Sequence, residues 1–224
     1  MDRLKRIIVS SDASGARQAA LEGMLVMIVD VIDMSTTLES ALDAGAFAVL
    51  GCSPDFTRAP VKVDQERIGR EAVSLARQNG SGIVIVTEPR VGSDEERLAR
   101  CRKLVRGIES GRGAIEAVIP NLGAETPKIT EMKNRVVVAV TDTGGVAFDA
   151  AYVESSLVTI GTVARTRSRK GMEPALTAVR RARLMLAENP DNNGVAIVAA
   201  SRNSMEDILA AQFIANLMLK DDNY

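Results

Sequence analysis

The sequence predicts an α/β protein, with three α/β/α layers around a mostly parallel or mixed sheet. Short runs rich in Val and Ile recur along the 224 residues, several of them nearly continuous, as in strands buried on both faces. Stretches with helical spacing alternate with these runs, so successive strands need crossover connections. A 46% hydrophobic content at this length suits one sizeable core, and residues 1–224 read as a single domain.

Strands are expected at 6–9, 24–31, 47–51, 82–87, 115–119, 135–141, 157–161 and 195–199, and helices at 35–44, 64–78, 93–110, 145–154, 173–188 and 204–219. Local signals mark the helix ends. Ser35 is a capping residue type and Gly45 a left-handed stop. Ser93-Asp94-Glu95-Glu96 and Ser204-Met205-Glu206-Asp207 are acidic first turns that suit the helix dipole. Residues 52–63 and 120–133 read as loops.

Composition removes whole function classes. With 28 Lys plus Arg against 29 Asp plus Glu, the formal charge is −1, so no global basic field draws nucleic acid or a membrane surface. There is no His, which excludes Ser-His-Asp triads, His-ligated zinc and phosphohistidine transfer. Aromatics are 3% and Trp is absent, so stacking platforms for single strands or sugars are not expected. Two lone cysteines, Cys52 and Cys101, make no disulfide framework. The charged start leads into an apolar run too brief to span a bilayer. The expectation is a soluble cytoplasmic protein that binds neither nucleic acid nor membrane. Ala210-Ala211-Gln212-Phe213-Ile214-Ala215 suits a homo-oligomer contact or a core equally.

In a parallel sheet, ligand sites lie at the carboxyl ends of the strands. That rule selects residues 30–37, 87–92, 141–145, 161–171 and 200–207. In the first, Asp30 precedes the hydroxyls of Ser35, Thr36 and Thr37 at a helix start, a pattern able to hold a divalent cation and an anion together. The bland reading is that Asp30 caps a turn and Ser35-Thr36-Thr37 merely starts a helix. Asp142-Thr143-Gly144-Gly145 allows backbone N–H groups to approach an anion, or simply makes a tight turn. The segment from Arg165 through Arg167 and Arg169 to Lys170 is strongly basic, and Arg suits forked recognition of phosphate oxygens; a solvated loop has the same composition. Neither a P-loop nor a Gly-x-Gly-x-x-Gly fingerprint occurs, and the spacing of Asp30 and Asp33, or of Cys101 and Arg106, fits no common phosphatase motif.

Taken in order, these segments resemble the ComB family, the 2-phosphosulfolactate phosphatases. The family's Val-Asp-Val-Leu-Arg-Ala-Thr-Thr-Thr is similar to Val29-Asp30-Val31-Ile32-Asp33-Met34-Ser35-Thr36-Thr37, and its Ala-Asn-Gly-Ala turn to Asp43-Ala44-Gly45-Ala46. Its Thr-Asn-Gly-Thr-Arg-Ala turn resembles Asp142-Thr143-Gly144-Gly145-Val146-Ala147, its Val-Leu-Ile-Gly-Ser strand Val158-Thr159-Ile160-Gly161-Thr162, and its Ser-Leu-Glu-Asp-Thr helix start Ser204-Met205-Glu206-Asp207-Ile208. The order and spacing of these segments carry the resemblance, best in the first fifty and last ninety residues.

The resemblance implies magnesium-dependent hydrolysis of a small anionic phosphorylated substrate, in the family a step of coenzyme M biosynthesis. Asp30 would be the Mg2+ ligand or the nucleophile, and Glu206 and Asp207 would complete the metal site or act as base. Ser35, Thr36, Thr37, Thr143, Gly144, Gly145, Arg165 and Arg167 would bind the substrate. Two family arginines fall on Asp33 and Val146, and each lost charge-assisted bond is worth about 1.5–3 kcal/mol. Either the basic loop compensates by reaching the pocket beside Gly144 and Gly145, or the substrate differs, or the chain is a binding protein that kept the fold without the chemistry.

Overall fold

A computed structural model describes residues 6–220; the charged start at 1–5 lies outside them. The elements are β1 (Ile7–Ser11), α1 (Asp12–Leu21), β2 (Leu25–Val29), α2 (Met34–Asp43), β3 (Ala48–Cys52), α3 (Gln65–Asn79), β4 (Ile83–Thr87), α4 (Asp94–Ala99), α5 (Arg102–Ser110), β5 (Ile115–Pro120), β6 (Val136–Val140), α6 (Gly144–Glu154), β7 (Val158–Gly161), α7 (Glu173–Glu188), β8 (Val195–Ala199) and α8 (Met205–Leu219). A 3-10 segment, Gly123–Lys128, lies in the stretch expected to be loop.

The strands form two all-parallel sheets, ordered β1-β8-β2-β7 and β3-β6-β4-β5. Each is the middle of an α/β/α arrangement, and one helical layer serves both. Ala16 of α1, Met34 and Leu38 of α2, and Ala147 and Phe148 of α6 share a buried cluster with Val26, Ile28 and Val198 of the first sheet and Ile85, Val136 and Val138 of the second. The opposite face of the first sheet, Leu25, Met27, Val29, Val195 and Ile197, packs on alanines of α7 and on Ala210, Ala211 and Ile214 of α8. On the outer face of the second sheet lies α3, with α5 packed against it. Among the described residues no helix is long and apolar enough to cross a membrane.

Three local readings change. First, α1 carries no large apolar stripe. Its buried residues are Ala13, Ala16, Ala19 and Ala20, small enough for close packing on α6, so hydrophobic periodicity does not reveal it. Second, the helix expected over 93–110 breaks at Cys101, because the Asp55 carboxylate accepts the N–H groups of Arg102 (2.9 Å) and Lys103 (3.1 Å) and caps a new helix there. Third, Ser35 is not the cap of α2. Asp33 holds that position, and the Ser35 hydroxyl turns inward, donating to Ile28 O and accepting from Asp30 N–H. By contrast, Ser93 and Glu96 form a full capping box, and Ser204 caps α8.

Candidate functional site

The carboxyl ends of the two sheets meet. Gly144, which opens α6 beyond β6, donates its N–H to Asp30 Oδ2 at 3.0 Å, beyond the tip of β2 in the other sheet. A Cβ at position 144 would overlap that carboxylate, and one at 145 would overlap Cys52 O, so both glycines are required by close approach. The Asn121 amide, beyond β5, donates to Asp33 Oδ1 (2.7 Å), while its Oδ1 accepts from the Thr37 hydroxyl (2.5 Å).

Asp30 is only 3% exposed and forms the floor of a cleft of about 300 Å³, lined also by Asp33, Thr143, Ser201, Asn203, Ser204, Glu206 and Asp207. Burial pushes its carboxyl up to about 7, with the neighbouring Asp207 and Asp33 adding to the rise. Asp207, in the first turn of α8, accepts the Val31 N–H at 2.8 Å and is raised chiefly by burial. Asp33 is raised as well, by burial first and then by Glu88, against the opposing pull of Arg90. The cleft lining therefore holds four carboxylates and no cation among the described residues. An adjoining hollow of about 310 Å³ shares Thr143 and Ser201 with it, and there Arg202 pairs with Asp12.

The predicted residues divide sharply. Asp30, Asp207, Glu206 and Thr143 come together at the cleft. Ser35, Thr36 and Thr37 do not line it: they are at most 5% exposed and their hydroxyls serve the scaffold. Thr36 donates to Val31 O and meets the Thr162 hydroxyl, while Thr37 bonds Asn121. Gly144 and Gly145 have also spent their N–H groups, on Asp30 and on Thr141 Oγ1. The expected phosphate cradle is thus a set of internal bonds, with the Asp30 carboxylate where an external anion would sit.

The basic loop does not supply a clamp. Arg165 pairs with Glu125 at 2.5 Å, Arg167 is exposed, and neither lines the cleft. Asp43 anchors the loop, accepting Ser168 N–H (2.6 Å), Ser168 Oγ (2.8 Å) and Thr166 Oγ1 (2.8 Å). Asp43 ends α2, whose ten residues span about 15 Å, so the loop is fastened at the far end of the helix from Asp30. Val146, where the resemblance led to an expected arginine, is buried with Ala13 and Ala150 and borders the adjoining hollow.

The cations near the site are not those of the basic loop. Arg90 lies 3.9 Å from Asp33 and 3.5 Å from Glu88, Arg100 binds both oxygens of Asp142 (2.9 and 2.8 Å), and Arg202 borders the adjoining hollow. Ser201, Asn203 and Arg202 fall in the loop after β8 that the strand-tip rule had selected. Asp12 was missed because its helix was missed. Comparison of the chain with protein-family models, with curated proteins and with solved structures finds no match.

A metal fits this cleft only with few protein ligands. Among the described residues no group of three or more His, Cys, Asp or Glu side chains is arranged to hold a metal ion. Mg2+ is commonly bound by one or two carboxylates together with waters and substrate oxygens. Asp30 with Asp207 meets that smaller requirement better than Asp30 with Glu206, because Glu206 is exposed at the rim.

Proposed function

We propose that the Asp30 cleft is a magnesium-assisted hydrolytic site for a small phosphorylated acid, resembling the 2-phosphosulfolactate phosphatases in reaction class. The observation that carries this reading is a nearly inaccessible carboxylate at a cleft lined by a second buried carboxylate, with no cation among the described residues bonded to either. Such a pair is neutralised by a proton or by a bound cation. When bound, Mg2+ would neutralise phosphoryl charge and acidify a water; Asp30 and Asp207 would be its protein ligands. The Gly144 N–H and Thr143 hydroxyl hold Asp30 in place. Glu206, exposed at the cleft, would take a proton from an entering water. Ser201 and Asn203 offer neutral donors to the ester oxygens, and Arg202 offers a cation beside them. Two buried, free cysteines suit a reducing cytoplasm.

Hydrolysis of 2-phosphoglycolate and 2-phospholactate, measured by phosphate release with and without magnesium, tests the reading. Magnesium-dependent turnover lost in Asp30→Asn is expected; no release from either ester, or release unchanged by the substitution, would overturn it. A second reading is favoured by the committed hydroxyls of Ser35, Thr36 and Thr37 and by the remote Arg165: a re-purposed binding protein on the same fold. Saturable binding of either ester without phosphate release identifies that case.

A further inference from the structure

Helix α8 is apolar on two faces. Ala210, Ala211, Ile214, Leu217 and Met218 are buried against the first sheet and α7. A second stripe, Met205, Leu209, Gln212, Phe213, Asn216 and Leu219, runs the length of the helix at helical spacing and is exposed. Met205, Leu209, Phe213 and Leu219 are 64%, 55%, 39% and 67% exposed. Between Asp207 and Lys220 the helix has no charged side chain. A surface helix of this length normally turns charged residues to water. Here the outward face has none between Glu206 and Lys220.

We propose that this stripe is the interface of a twofold homodimer, with α8 packed antiparallel on α8 of a second copy. Charge placement points to a second copy. Glu206 and Lys220 stand seven residues before and after Phe213, so an axis through Phe213 sets each Glu206 against Lys220 of the partner subunit. The antiparallel arrangement also opposes the helix dipoles. An unrelated partner would require no such symmetry, whereas an isologous contact does. A lipid surface prefers Lys and Arg beside an apolar stripe, and here one end carries Glu206 and Asp207 instead. The four large side chains leave on the order of 400 Å² of apolar surface in water, about half of the roughly 800 Å² that each partner contributes to a standard interface. The flanking polar residues and α7 supply the rest. Because Glu206 borders the Asp30 cleft, this dimer brings Lys220 of the partner subunit to the cleft mouth.

Sedimentation of the full chain should give twice the 23.9 kDa chain mass. Leu209→Glu combined with Phe213→Glu should return the single-chain mass with an unchanged far-ultraviolet spectrum, since both positions are exposed. Phe213→Cys should form a covalent dimer on mild oxidation and Arg102→Cys, on α5, should not; the native cysteines are buried. Lys220→Glu should weaken association at least tenfold, and adding Glu206→Lys should restore it. A monomeric wild-type chain, a dimer that survives the double glutamate variant, or failure to cross-link at position 213 would overturn the proposal. Stripe-dependent flotation of a monomer with phosphatidylcholine vesicles would name lipid as the occupant and overturn it equally.

Discussion

Asp30 sits among N–H donors that the sequence offered to phosphate, and that placement sets its titration. Its folded value of about 7 lies above the ordinary 3.8. From about pH 4 to 7 the folded chain therefore holds a proton that the unfolded chain has released, and stability falls as pH rises through that window. The loss from this group is at most about 4 kcal/mol by pH 8, at about 1.4 kcal/mol per unit. In metal-free buffer, Asp30→Asn should be more stable than wild type at pH 8 and converge with it near pH 4, as urea denaturation at the two pH values would show. A gain in stability with a loss of function is the usual sign of a strained site. Gly144→Ala should act oppositely: the new Cβ displaces the carboxylate, with an expected loss of about 1–3 kcal/mol and of any magnesium-induced rise in melting temperature. An unchanged melting curve would show that Asp30 has room to move.

At the scale of elements, the edge strand β7 is sealed by a buried ion pair. Arg181 of α7 reaches around β7 to Glu39 of α2, and also donates to Ile160 O (2.7 Å) and Thr159 Oγ1 (3.0 Å). The Glu39 side chain is 1% exposed, and burial raises it while Arg181 pulls it down. Arg181→Met leaves that carboxyl buried without its partner and should cost about 3 kcal/mol. Adding Glu39→Leu should recover most of the loss, because the pair's attraction largely offsets its own desolvation. A double-mutant cycle in urea checks this: additive losses would show that the two side chains act independently. The pair also covers backbone at an edge that would otherwise be open to strand addition.

For the whole molecule, the shared layer of α1, α2 and α6 decides cooperativity. Phe148, 2% exposed, stacks on Tyr152 with ring centroids 5.8 Å apart, inside the cluster that both sheets enter. Phe148→Ala should cost about 3–5 kcal/mol and lower the midpoint of one transition. Two separated transitions in calorimetry, only one of them moved, would show that the sheets unfold independently.

Strand periodicity and two of the helix starts were legible in the sequence because their signals are local. Eight strands follow from Val and Ile runs, and the starts of α4 and α8 from Ser followed by acids. The strand-tip rule placed Asp30, Thr143, Glu206 and Asp207 in candidate loops, and all four line one cleft. Partition into two sheets was not legible, since strand order depends on which crossovers pack together. Nor was the fate of the hydroxyls. Ser35, Thr36 and Thr37 read either as ligand donors or as turn and cap residues, and the fold commits them internally, to Ile28 O, to Val31 O and, across the chain, to Asn121. The sequence determined the α/β pattern and the carboxylates at the strand tips. Tertiary structure alone decided which donors stay free, because a buried polar group must find a partner and the nearest one wins before any ligand arrives.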